Sequence, residues 1–119
     1  MKSFEVLNAQ PVLDKLAKQD LPLAVSVKLL EPFKKADDIH KTILEKRSAL
    51  FAKYGKLDKK TKETHVLPKN KVKFAKEYTE LMETELKWET DPIEISEFGD
   101  TVNLSVKEVA QITWFLNVA

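Results

Sequence analysis

The feature that most constrains this fold is one row of residues. Leu23, Val27, Leu30, Phe33, Ala36, His40, Ile43, Arg47, Leu50 and Tyr54 recur at steps of three or four. That is the α-helical period, so the row predicts a mostly apolar stripe along a single rod. Such a rod would run ~50 Å, which is long for a compact domain. Pro32 lacks a backbone donor and disfavours helical geometry at Glu31, so a kink or break is expected there. Gly55 reads as a left-handed C-cap, with Lys53 and Lys56 beside the negative end of the helix dipole.

The remaining elements follow from shorter signals. Alternation of Phe4 and Val6 with polar residues over Lys2 to Leu7 predicts a short strand. Pro11 suits the first turn of a helix of about ten residues, carrying Leu13, Leu16 and Ala17 and ending at Asp20. Asp20 then serves as N-cap of the long helix, with Pro22 just inside it. A third helix is expected from Pro68–Asn70 to about Trp88, with Phe74, Tyr78, Leu81, Glu85 and Trp88 on one face. Its length matches Phe33 to Tyr54, which predicts an antiparallel helical hairpin placing Tyr54 near Phe74, Leu50 near Tyr78 and Ile43 near Glu85.

After Thr90 the texture changes. Ile93 and Ile95 flank Glu94, Gly99-Asp100 reads as a turn, and Val102 and Leu104 flank Asn103, so a small β-hairpin is expected. Ser105 with Glu108 forms a capping box, and Leu104 can staple onto Val109, which starts a helix at Val106. Val109, Ile112, Phe115 and Leu116 face the core by spacing, while Trp114 falls elsewhere. The expected fold is mainly α (α+β), in a single domain over residues 1–119: a helical hairpin with a kinked long helix, a small β element and a C-terminal helix.

Several chemistries find no support in the residues. There is no cysteine, so thiolate metal sites and cysteine nucleophiles are excluded. His40 and His65 are in no metal-binding spacing, no serine sits in a Gly-x-Ser-x-Gly elbow, and two isolated glycines build no phosphate cradle. Carboxylate pairs such as Asp37/Asp38 and Glu83/Glu85 read as solvated helix faces. No catalytic residue, metal or cofactor is therefore assigned, and the chain reads as a non-enzyme. No apolar run approaches the ~20 residues a bilayer requires, and the N-terminus lacks the h-region of a signal peptide. An intracellular, non-membrane protein is expected.

Charge is segregated along the chain. Residues 53–76 hold nine lysines against two acids, whereas residues 77–119 hold two lysines against ten acids. Lys56, Lys59, Lys60, Lys62 and Lys69 gather at one end of the expected hairpin, a footprint suited to an anionic partner. Arginine is absent there, and the nearby aromatics Tyr54, Phe74 and Tyr78 belong to the core stripe. A solvated tip, or one that docks an acidic protein surface, is therefore favoured over nucleic acid, which stays as the rival partner. Trp114 and Phe115 form a second candidate contact. The acidic C-terminal third offers a surface for self-association with a second copy, or for inhibiting an enzyme by mimicking an acidic ligand. Arg47 lies on the buried stripe, where it either pairs with Glu85 or Glu77 as a structural ion pair or snorkels to the edge.

Leu21-Pro22, then Arg47, Leu50, Phe51 and Tyr54-Gly55, Asp58, Pro68 with Phe74, Glu80-Leu81 and Glu85, Ile93-Glu94-Ile95 and Leu104-Ser105 follow one another as a pattern of caps and core positions. In that order the chain resembles a loose group of small tailed-bacteriophage proteins, over most of its length. It departs from them at Lys59-Lys60-Thr61, where an acidic, glycine-containing turn is usual. The resemblance implies a phage-encoded protein without enzymatic activity. It would work in the host cytoplasm or in association with the virion, through contacts with phage or host proteins during infection or virion assembly.

Overall fold

A computed structural model describes residues 1–91, 95–99 and 102–116. The fold is mainly α with one two-stranded antiparallel sheet. Helix α1 spans Ser3–Ala17, α2 Leu23–Tyr54 and α3 Lys71–Glu83. Strands β1 (Gly55–Leu57) and β2 (Thr64–Val66) lie between α2 and α3. Two short helices, α4 (Val106–Gln111) and α5 (Thr113–Leu116), follow a 3₁₀ turn at Ile95–Phe98.

The N-terminal strand expected over Lys2 to Leu7 is instead the start of α1. Ser3, Val6, Ala9, Val12, Leu13 and Leu16 are all buried, so the three- and four-residue spacing outweighs the local alternation. Pro11 consequently sits inside the helix rather than in its first turn. It is exposed, which puts its ring on the solvent side.

No break occurs at Glu31. Pro32 is buried in line with Val25, Leu29 and Ala36, and α2 passes through it as one helix of 32 residues. Packing of that face against α1 offsets the hydrogen bond that proline cannot donate. The N-cap is Pro22, not Asp20. A rod of this length, ~48 Å, is accommodated by an elongated molecule measuring 53 × 30 × 24 Å. The radius of gyration is 17.6 Å, against about 13.5 Å for a compact chain of this size. Only a compact domain would require a break in such a rod, and the molecule is not compact.

The buried phase of α2 also differs from the sequence row at its N-terminal end. Val25 and Leu29 turn inward, while Leu23, Val27 and Leu30 are exposed. The core accordingly lies around α1, the first half of α2 and the C-terminal helices. It includes Leu13, Leu16, Leu29, Phe98, Ile112, Phe115 and Leu116. Aromatic rings from distant segments close it: Phe33 lies 5.0 Å and Trp88 5.7 Å from Phe115, centroid to centroid.

The helical hairpin forms with the expected register at its tip. Phe74 packs on Phe51 at 5.0 Å and on Tyr54 at 6.5 Å, and stacks on Tyr78 at 5.6 Å. Yet no α3 residue is fully buried, so the inter-rod seam is only half covered. Helix α3 stops at Glu83 rather than near Trp88. The backbone of 84–86 pairs with the N-terminus instead: Ser3 N–H donates to Thr84 O (3.1 Å) and Leu86 N–H to Met1 O (2.7 Å).

The small sheet is not where it was expected. Ile93 and Glu94 lie outside the described residues, Ile95–Phe98 forms a 3₁₀ turn, and Val102–Leu104 is not a strand. The hairpin is made by the lysine-rich connection itself. At the C-terminal helices the sequence reading holds: Ser105 Oγ accepts from Glu108 N–H (3.1 Å) and Glu108 Oε1 from Ser105 N–H (3.0 Å).

Candidate functional site

The lysine-rich connection is built as a β-hairpin rooted directly on α2. Gly55 pairs with Val66, Lys56 with His65 and Leu57 with Thr64. Strand begins at the residue after the helix ends, which forces the two backbones together at Gly55. A Cβ there would stand 2.5 Å from Phe51 O and 2.8 Å from His65 O. Glycine is needed for space and not for a left-handed C-cap, since its φ is −114°. Carbonyls at the end of α2 are satisfied from across the hairpin: Tyr54 O accepts from Leu67 N–H (3.1 Å) and from Asn70 Nδ2 (3.2 Å).

The loop between the strands is closed by its own polar groups. Asp58 N–H donates to Glu63 O (2.7 Å), Lys62 N–H to Asp58 O (2.8 Å) and Lys60 N–H to Asp58 Oδ1 (2.9 Å). Lys62 takes φ 59°, the left-handed region. One of the two acids in this segment is thus engaged with the loop backbone, and Glu63 lies 3.7 Å from His65 Nε2.

Lys56, Lys59, Lys60, Lys62 and Lys69 are all exposed and make no ion pair among the described residues. Their situation contrasts with that of the acidic C-terminal third. Glu77 pairs with Lys53 (3.3 Å), Glu83 with Lys2 (2.7 Å), Glu97 with Lys28 (2.7 Å) and Glu108 with Lys15 (2.9 Å). Negative charge in residues 77–108 is therefore partly matched within the molecule. Positive charge at the tip is turned outward. Where ion pairs form they shift proton affinity in the expected sense: the Tyr54 hydroxyl and the Lys53 ammonium hold the Glu77 carboxyl below its ordinary value. Lys53 is raised in turn by the Tyr54 hydroxyl and the Glu77 carboxylate.

Two other sequence-derived assignments are corrected. Phe115 is 0% exposed at the centre of the core and cannot serve as a contact residue. Its helical spacing places it inward, so it forms no surface with Trp114. Trp114 is half-buried, edge-on to Trp88 at 5.0 Å and to Phe115 at 5.9 Å, so its ring is engaged within the protein. Arg47 is half-buried but does not pair with Glu85. That carboxylate lies 3.4 Å from the Met1 ammonium, because the early end of α3 carries residue 85 off the hairpin seam. Glu77, the other expected partner, is taken by Lys53, and Arg47 makes no ion pair among the described residues.

A second feature had no sequence signal. An open cavity of about 690 Å³ lies along the half-covered α2–α3 seam, with Ile39, Ile43, Leu50, Leu81 and Leu86 in its wall and Asp38, Lys46, Glu77 and Glu80 at polar positions. Side chains on facing helical stripes were expected to fill this space. His40, the residue of the stripe with most chemical potential, is half-buried and in no metal-binding group among the described residues. No described helix is long and apolar enough to cross a membrane. No family model, curated protein or solved structure matches the chain.

Proposed function

We propose that this is a non-enzymatic protein of phage type that docks an acidic surface of a protein partner through its cationic β-hairpin tip, during infection or virion assembly in the host cytoplasm. One observation carries this reading. Five exposed tip lysines have no intramolecular counter-charge among the described residues, while acids of the C-terminal third pair with Lys2, Lys15, Lys28 and Lys53. Such a field raises encounter rates with a negative surface and selects against a positive one. Lysine side chains suit this role, since each is a mobile point charge rather than a planar reader of bases. The aromatics near the tip, Tyr54, Phe74 and Tyr78, pack on one another, which supports a protein over a single-stranded nucleic acid.

The test is capture of partners from infected cells with the wild-type protein and with a Lys59→Glu/Lys60→Glu/Lys62→Glu variant. Folding of the variant should be unchanged within about 0.5 kcal/mol, because the sites are exposed. A partner retained by the wild type and lost by the variant, in a salt-sensitive manner, supports docking by the tip. A mobility-shift titration with duplex and single-stranded DNA addresses the rival. Micromolar binding whose logarithm falls linearly with the logarithm of salt would replace the protein reading with a nucleic-acid one.

A further inference from the structure

Two apolar surfaces on α2 are left uncovered, and they differ in shape. The first is a ridge. Leu23, Val27 and Leu30 are 80%, 59% and 68% exposed, and their spacing puts them in one row on the outward side of the helix. Farther along, that row becomes Lys34, Asp37 and Lys41, all exposed. An outward row ordinarily stays polar, and only its first three members are apolar. The second surface is the cavity on the α2–α3 seam, a trough between two helices.

The geometry points to a second copy of this chain as the occupant of that trough, with the ridge of one molecule seated between α2 and α3 of the next. Two helices side by side present a groove that a third can fill with i, i+4 and i+7 anchors, the spacing of Leu23, Val27 and Leu30. Lengths agree: Leu23 to Lys34 rises about 17 Å, and the α2 wall from Asp38 to Leu50 about 18 Å. Charges agree as well. With Glu77 matched by Lys53, Asp38 and Glu80 against Lys46 still leave the trough net negative, and Lys34 stands one turn beyond Leu30 on the entering ridge. Burying both surfaces together removes from water the largest apolar row left exposed among the described residues. Ridge and trough occupy different parts of the molecule, so the contact is heterologous and propagates head to tail into a ring or a filament. Neither surface includes the tip lysines, so this association and the docking reading stand or fall separately.

Sedimentation equilibrium of the full chain from about 10 μM to about 1 mM tests the inference, with Val27→Glu to spoil the ridge and Ala49→Glu to spoil the trough. Both residues are exposed, so helix content by circular dichroism should be retained. If either variant unfolds, Leu30→Glu for the ridge and Thr42→Lys for the trough, also at exposed sites, replace it. The wild type should exceed dimer mass as concentration rises, and each variant alone should associate at least about tenfold more weakly. An equimolar mixture of the two variants keeps one intact ridge and one intact trough, so it should form a two-chain complex and stop there. A wild type that stays monomeric, variants that assemble like the wild type, or a mixture that stays monomeric would each overturn the inference. The last result would indicate like-with-like pairing instead.

Discussion

Phe115 shows how much a single residue decides in this molecule. It is fully buried and touches Phe33, Trp88 and Trp114, which come from the long helix, the segment after α3 and the C-terminus. Replacing it with alanine should cost about 3–5 kcal/mol, read as a shift of the urea midpoint, because three separate segments lose the ring they share. Gly55 decides in a different way. Adding one methyl group there drives it into backbone oxygens of Phe51 and His65, which cannot swing aside as a side chain would. Gly55→Ala should destabilise by about 1–3 kcal/mol. The loss should appear first as faster amide exchange in β1 and β2.

At the scale of an element, α4 is the segment whose start is most explicitly encoded. Ser105 and Glu108 satisfy each other's backbone donors, and Lys15 of α1 reaches across to the Glu108 carboxylate. The Ser105 backbone N–H, followed by Lys15, lowers the Glu108 proton affinity below its ordinary value of 4.5. A depressed carboxylate contributes stability above its unfolded pKa and loses it as pH falls through the folded one. Thermal midpoints of wild type and Glu108→Gln should therefore converge as pH drops from about 5.5 to about 3, the wild type losing more. Ser105→Ala should cost about 1 kcal/mol at neutral pH. By contrast, α3 ends where no local stop signal is present. Its last turn yields to the pairing of Met1 and Ser3 with 84–86, a competition that only the assembled chain can express.

For the whole molecule, the core and the charged tip are separated by function and by distance along the rod. Residues 55–66 contain no fully buried side chain, whereas the core gathers around α1 and the C-terminal helices. Replacing residues 57–64 with Asn-Gly should leave the unfolding midpoint within about 0.5 kcal/mol of wild type while abolishing tip-dependent capture of a partner. A large loss of stability on that exchange would mean the hairpin helps hold α2 and α3 together.

The helical period of α2, its end at Tyr54, the capped start of α4 and the exposed lysines were readable in residue order, since each rests on neighbours within one or two turns or on charge that no core can absorb. The Tyr54–Phe74 contact followed from the matched lengths of two rods, whereas the passage of α2 through Pro32 without a break was not readable. What the tertiary structure alone decided is which phase of a periodic row faces inward and how far a helix runs. Leu23, Val27 and Leu30 have the same spacing as buried residues, yet Val25, Leu29 and Pro32 are the ones that other elements cover. Periodicity defines a stripe, but the side of the stripe that is buried depends on where another element finds the most area to cover. The same reason explains the trough on the α2–α3 seam: two apolar faces were legible, and how closely they approach was not.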